Sequence, residues 1–133
     1  MREKFILIIT HGRFGIELLR SVEMIIGEQE NVVALELNPG ESVDDLKNIA
    51  EVLIINNQNL NKDIIIFVDI LGGSPSNISL YLMKKYKNIK LISGVNMFML
   101  IEALQSRELY ELDELIDQII NSGNQGILKL ENN

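Results

Sequence analysis

The chain has 133 residues, 47% hydrophobic and 23% charged, with a formal net charge of −7 and no cysteine. This is the length of one domain with a core of its own and the composition of an ordinary soluble globular protein. It excludes a disulfide framework and thiol chemistry, and with 19 acids against 12 bases it argues against nucleic acid, whose phosphates are neutralised by Lys and Arg.

No apolar run approaches a membrane span, and the opening Met1-Arg2-Glu3-Lys4 lacks the apolar region of a signal peptide, so a cytoplasmic protein without membrane insertion is expected. Three Tyr, four Phe and no Trp are few rings for a flavin site, and no cofactor is expected. The Lys84, Lys85, Lys87 and Lys90 cluster falls where a helix ends, and reads as a solvated group complementing the helix dipole.

Residues 4–9 predict the first strand, followed by a helix over about 13–26 with Phe14, Leu18, Val22 and Ile25 on one face and Gly27 as its stop. Residues 32–37 predict the second strand, ended by Asn38-Pro39-Gly40. Ser42 caps the next helix, with Asp44 and Asp45 in its first turn and Val43, Leu46, Ile49 and Leu53 as its apolar stripe. The unbroken Ile64-Ile65-Ile66-Phe67-Val68 predicts a third strand buried on both faces.

Gly72-Gly73-Ser74-Pro75 leads into a third helix over about 75–85, with Ser74 as N-cap and Pro75 at the first helical position. Residues 89–92 predict the fourth strand, and Asn96 opens a fourth helix. Leu112, Leu115, Ile116 and Ile119 mark a fifth helix. A flexible Gly-rich connection over 121–126 then leads to a last short strand at 127–130. This alternation specifies one α/β domain: a mainly parallel open sheet with helices on both faces.

In such a sheet, sites form at the carboxyl ends of strands where strand order reverses. The first strand ends in Thr10-His11-Gly12, and His11 is the only histidine. Alone it reads as an ordinary loop residue. Metal binding does not fit one His without Cys or an HExxH pairing. A base or nucleophile remains, and that role needs a partner to fix the ring tautomer. The third strand ends in Asp69, which can meet His11 if the two strands are neighbours.

Gly72, Gly73 and Ser74 have a sufficient structural explanation as a turn into a helix. Chemically, the same turn is an anion site: free amides, a hydroxyl and a positive helix end converge. No Lys follows at Walker spacing. Together the three features suggest a histidine that carries a phosphoryl group, oriented by Asp69, with Gly73, Ser74 and neighbouring amides, that of Gly72 among them, expected to hold the phosphoryl oxygens.

The stretches ITHGRFG at 9–15, GEQENV at 27–32, NPGES at 38–42, FVDILGGSPSN at 67–77 and SGVNMFMLIEAL at 93–104 carry a resemblance. They resemble the IIA component of the mannose-type (mannose–fructose–sorbose) bacterial phosphotransferase system, over nearly the whole chain and in the expected order. The resemblance implies that His11 takes a phosphoryl group on Nε2 from HPr and passes it to a IIB component. Sugar then enters, phosphorylated, through membrane IIC and IID components. It implies Asp69 as hydrogen-bond partner of His11, and a homodimer whose last strand is exchanged.

Some members carry aromatics where this chain has Arg13 and Leu71. These two positions, with Met24 and Pro39, are assigned to the partner-docking surface. Some members continue into a fused IIB domain, whereas this chain is expected to be a free-standing IIA. Three other readings stand beside this one: a regulatory module of the same fold, a binder of small anionic ligands, and a receiver-like domain phosphorylated on Asp69. The last lacks the acidic pair that would hold its magnesium.

Overall fold

The computed structural model describes residues 1–132. Its elements run β1 (Lys4–His11), α1 (Phe14–Ile26), β2 (Val32–Leu37), α2 (Val43–Asn59), β3 (Asp63–Val68), α3 (Ser74–Lys85), β4 (Ile89–Ile92), α4 (Met97–Ser106) and α5 (Leu112–Gln125). The four strands form one parallel sheet in the order β2-β1-β3-β4. Strand order therefore reverses between β1 and β3, the two strands that end in His11 and Asp69.

The two central strands are apolar on both faces because helices cover both. Phe5, Leu7 and Ile9 of β1 with Ile64, Ile66 and Val68 of β3 pack against α2 and α3 through Leu46, Ala50, Ile54, Ile78 and Leu82. The alternate residues Ile6, Ile8, Ile65 and Phe67 pack against Val22 of α1, Leu100, Ala103 and Leu104 of α4, and Leu115 and Ile119 of α5. Among the described residues no helix is long and apolar enough to cross a membrane.

The inward faces of two helices differ from expectation. On α1, Val22 is buried with Leu18, Leu19 and Ile26 against it, while Phe14 and Ile25 face solvent. The reason is Gly15. A Cβ there would lie 2.7 Å from Ile8 Cγ2, so glycine lets the first turn of α1 lie directly on β1 and sets its rotation. On α2 the buried line is Leu46, Ala50 and Ile54, with Val43 and Ile49 exposed. The Ser42 cap forms as expected, its side chain accepting from the Asp45 amide.

The chain's end requires a correction. Residues 121–125, expected as a flexible connection, continue α5, and its glycines serve packing. A Cβ on Gly123 would lie 2.6 Å from Met99 Cγ, and one on Gly126 would overlap the Phe98 ring. Asn96 Nδ2 donates to the Gly123 carbonyl and Ser122 Oγ donates to Glu102, fastening this last turn to α4. Among the described residues no fifth strand joins the sheet: 127–130 is irregular, with Ile127, Leu128 and Leu130 largely exposed. A strand of that length needs an edge to pair with, and α5 delivers the segment to none within its own chain.

Candidate active site

β1 and β3 pair in parallel with Ile9 opposite Val68, which brings His11 and Asp69 to adjacent strand ends. The His11 Nδ1 lies 2.8 Å from Asp69 Oδ2, and the His11 backbone amide donates to the same oxygen at 3.0 Å. The other carboxylate oxygen accepts from the Ile70 amide at 3.0 Å. One side chain thus fixes both the backbone and the ring of His11.

Partial burial of Asp69 opposes its ionisation. The hydrogen bonds from the His11 ring, the His11 amide and the Ile70 amide outweigh that, and the carboxyl is held below its ordinary value. An ionised carboxylate only accepts, so the hydrogen on this side of the ring belongs to Nδ1. Nε2 then carries the free lone pair. The His11 side chain is 49% exposed and that of Asp69 only 15%, so the carboxylate is sheltered while the imidazole is half exposed.

Nε2 faces the glycine turn. Gly73 has φ 87° and ψ 173°, a backbone region essentially limited to glycine, and a Cβ on it would lie 3.2 Å from both His11 Cε1 and Nε2. Gly73 also caps α3 without any side-chain hydrogen bond. Here the expected cap is corrected: Ser74 is the first helical residue and Pro75 the second, because only glycine reaches the conformation required at the cap. In the first turn, Asn77 already bonds the Gly73 carbonyl. The amides of Ser74 and Ser76 have no partner within the helix, and Pro75 has none to offer. Gly72, also at positive φ, bends the chain into this turn and has nothing near its missing side chain.

Gly73→Ala is expected to cost about 1–3 kcal/mol of stability through backbone strain and to slow any reaction at Nε2 by roughly tenfold or more. Thermal denaturation and a rate of phosphoryl uptake measure the two effects. An unimpaired rate would show that Nε2 does not react across this glycine.

The residues assigned to docking do not form one patch. Leu71 and Ile70 are exposed beside the glycine turn, and Pro39 is exposed in the β2–α2 turn, whose Leu37 carbonyl accepts from the Gly12 amide. Arg13, two residues beyond His11, is held by Glu17 at 2.9 Å and Glu36 at 3.6 Å. Met24 is almost fully exposed but lies in the last turn of α1, about 15 Å along the helix from its start. Sequence reading overlooked Thr10, which is fully buried and whose hydroxyl accepts from the Gly15 amide at 2.8 Å. The available signal was a hydroxyl residue closing a strand five positions before a glycine.

The family model described as PTS system fructose IIA component matches residues 5–120. The chain belongs to this family. It is 34% identical over 129 residues to the PTS system mannose-specific EIIAB component of Escherichia coli K12, covering 95% of this chain but only 39% of that protein. To the PTS system fructose-specific EIIA component of Bacillus subtilis 168 it is 30% identical over 122 residues, with 86% and 77% of the two chains covered. The crystal structure of the phosphotransferase system component EIIA from Streptococcus agalactiae superposes with a TM-score of 0.87 at 37% identity, covering 95% of this chain and 96% of that one. The span matched by the family model includes His11, Asp69 and the glycine turn.

Proposed function

We propose that this IIA-family chain is a cytoplasmic phosphocarrier in which His11 Nε2 accepts a phosphoryl group from phospho-HPr and delivers it to a IIB component. The observation that carries this reading is the 2.8 Å contact from His11 Nδ1 to Asp69, with Nε2 turned to the glycine cap of α3. The Nε2 lone pair forms the new P–N bond as the donor's bond to phosphorus breaks, and that electron pair stays with the donor. Positive charge arising on the ring is stabilised by Asp69 through Nδ1–H. The Ser74 and Ser76 amides and the Ser74 hydroxyl stand at the helix end where the phosphoryl oxygens arrive. Transfer of this kind rests on positioning and electrostatics.

The His11 ring is half exposed, which suits a donor that is itself a protein. A hollow of about 520 Å³ lies elsewhere, between α1, β2 and α2, and is lined by Ile16, Glu36, Ser42 and Ile49 among others. Delivery to IIB would serve sugar uptake through IIC and IID membrane components. The test is incubation with phosphoenolpyruvate, Enzyme I and HPr, followed by intact mass. One added phosphoryl group per chain, labile to acid and stable to base, is expected. An unchanged mass would remove the reading.

The reading includes a homodimer in which 127–130 pairs with the other subunit's sheet. Its support is the exposure of Ile127, Leu128 and Leu130 at the end of a helix fastened to α4. Burying such side chains contributes about 1.5–3 kcal/mol each before ordering costs. Truncation after Gly126 is therefore expected to weaken the dimer and lower its urea midpoint together. Sedimentation and urea titration decide. A truncated chain that stays dimeric and equally stable would remove the exchange and leave the phosphocarrier reading standing.

A further inference from the structure

We propose that Thr10 is a positioning residue for His11, acting through the first turn of α1. This rests on the reading of His11 as the phosphoryl acceptor. Arg13 occupies the N-cap position of α1 but makes no side-chain capping bond, which leaves the first-turn amides to be satisfied otherwise. The Gly15 amide is satisfied from the strand before it: Thr10 Oγ1 accepts at 2.8 Å. Thr10 is completely buried, so neither partner has water as an alternative. A Cβ on Gly15 would lie 2.7 Å from Ile8 Cγ2 and 3.0 Å from Thr10 Cγ2, so the contact is as close as a glycine permits.

The hydroxyl thereby closes a short loop running from the last inward residue of β1, through His11, Gly12, Arg13 and Phe14, to the second residue of α1. His11 is its reactive member, and the loop is tied at three places. The His11 amide goes to Asp69 Oδ2, the Gly12 amide goes to the Leu37 carbonyl at 2.8 Å, and the Gly15 amide goes to Thr10. Asp69 Oδ2 accepts both the His11 amide and the His11 ring nitrogen. Two bonds to one atom hold only while backbone and ring keep a single relative placement. If the Gly15 amide loses its acceptor, α1 must lift from β1 to find water, and residues 12–14 go with it. The ring bond, on the exposed side of the carboxylate, weakens first.

Thr10→Val keeps the shape but sets a methyl group against the Gly15 N–H, while Thr10→Ser keeps the hydroxyl and loses the methyl. His11 is the only histidine, so its ring nitrogens give unambiguous ¹⁵N NMR signals. The native chain is expected to show one tautomer with the hydrogen on Nδ1. Thr10→Val is expected to show a mixture and to accept phosphoryl from phospho-HPr roughly tenfold or more slowly. Thr10→Ser should restore both readouts even where it is less heat-stable.

A Thr10→Val chain that is less stable but keeps the native tautomer pattern and rate would overturn the proposal, because a merely structural threonine behaves that way. If Thr10→Val does not fold, Thr10→Cys, close in volume but a poor acceptor, is read by the same two measurements. The NMR readout needs no phosphorylation. If the native chain took up no phosphoryl group while Thr10→Val still scrambled the tautomer, the positioning role would stand and the phosphocarrier reading would fall.

Discussion

His11→Ala is expected to abolish phosphoryl uptake from phospho-HPr completely while leaving the fold intact. No second histidine exists to take over. Nor does Asp69 become a substitute acceptor: it is the sheltered member of the pair, and its oxygens are engaged by backbone amides. The structural cost should be small because the lost ring is half exposed. The carboxylate left behind is not orphaned, since the position 11 and Ile70 amides still donate to it. One hydrogen bond to a carboxylate that keeps its other donors contributes about 1–2 kcal/mol. Intact mass should show one added phosphoryl group on the native chain and none on the variant, with thermal midpoints within a few degrees. An alanine variant that still gained the phosphoryl group would end the assignment.

The sheet was legible because burial on both faces leaves a blunt signature. Nothing in Ile64-Ile65-Ile66-Phe67-Val68 faces water, and β3 is buried along its whole length. Helix rotation was less legible, because the contacts that set it are made by residues too small to score as apolar. Gly15 and Ala50 are buried on α1 and α2, while the larger Phe14 and Ile49 are exposed. Gly123 and Gly126 misled in the same way. Glycine reads as flexibility in sequence, and here it allows α5 to rest on Met99 and Phe98.

The site divides along the same line. His11 and Asp69 were visible as strand-end residues, but their meeting depends on β1 lying beside β3, a tertiary fact that alternating elements leave open. The glycine turn was visible as the entry to a helix. Its finer geometry was not, because the choice of Gly73 over Ser74 as cap follows from the backbone path past the imidazole. Thr10 escaped notice since a buried threonine in a strand has ordinary propensity, and only the folded corner reveals the amide it satisfies.

Asp69→Asn is expected to slow phosphoryl transfer by about 10²–10³-fold with little effect on folding. The carboxylate accepts on both sides, from the His11 amide and ring at Oδ2 and from the Ile70 amide at Oδ1. An amide cannot do this, because one of its two ends is a donor. With its oxygen toward His11, the NH₂ group opposes the Ile70 N–H. Reversed, the NH₂ opposes the His11 backbone N–H and draws the ring into the other tautomer, placing a hydrogen on Nε2 where the lone pair is needed. Either way the charge that stabilises the ring during transfer is gone.

The pH dependence has a definite sign. A carboxyl held below its ordinary value in the folded chain contributes fully at pH above the unfolded value. That contribution is lost as pH falls through the lowered folded value. The native chain should therefore keep the Asp69 effect down to pH below the usual carboxylate range, and Asp69→Asn should lack that acid limb. Rapid-quench rates and ¹⁵N spectra of the single histidine provide the measurement. A variant transferring within about threefold of the native rate, a difference of well under 1 kcal/mol in barrier, would remove Asp69 from the mechanism.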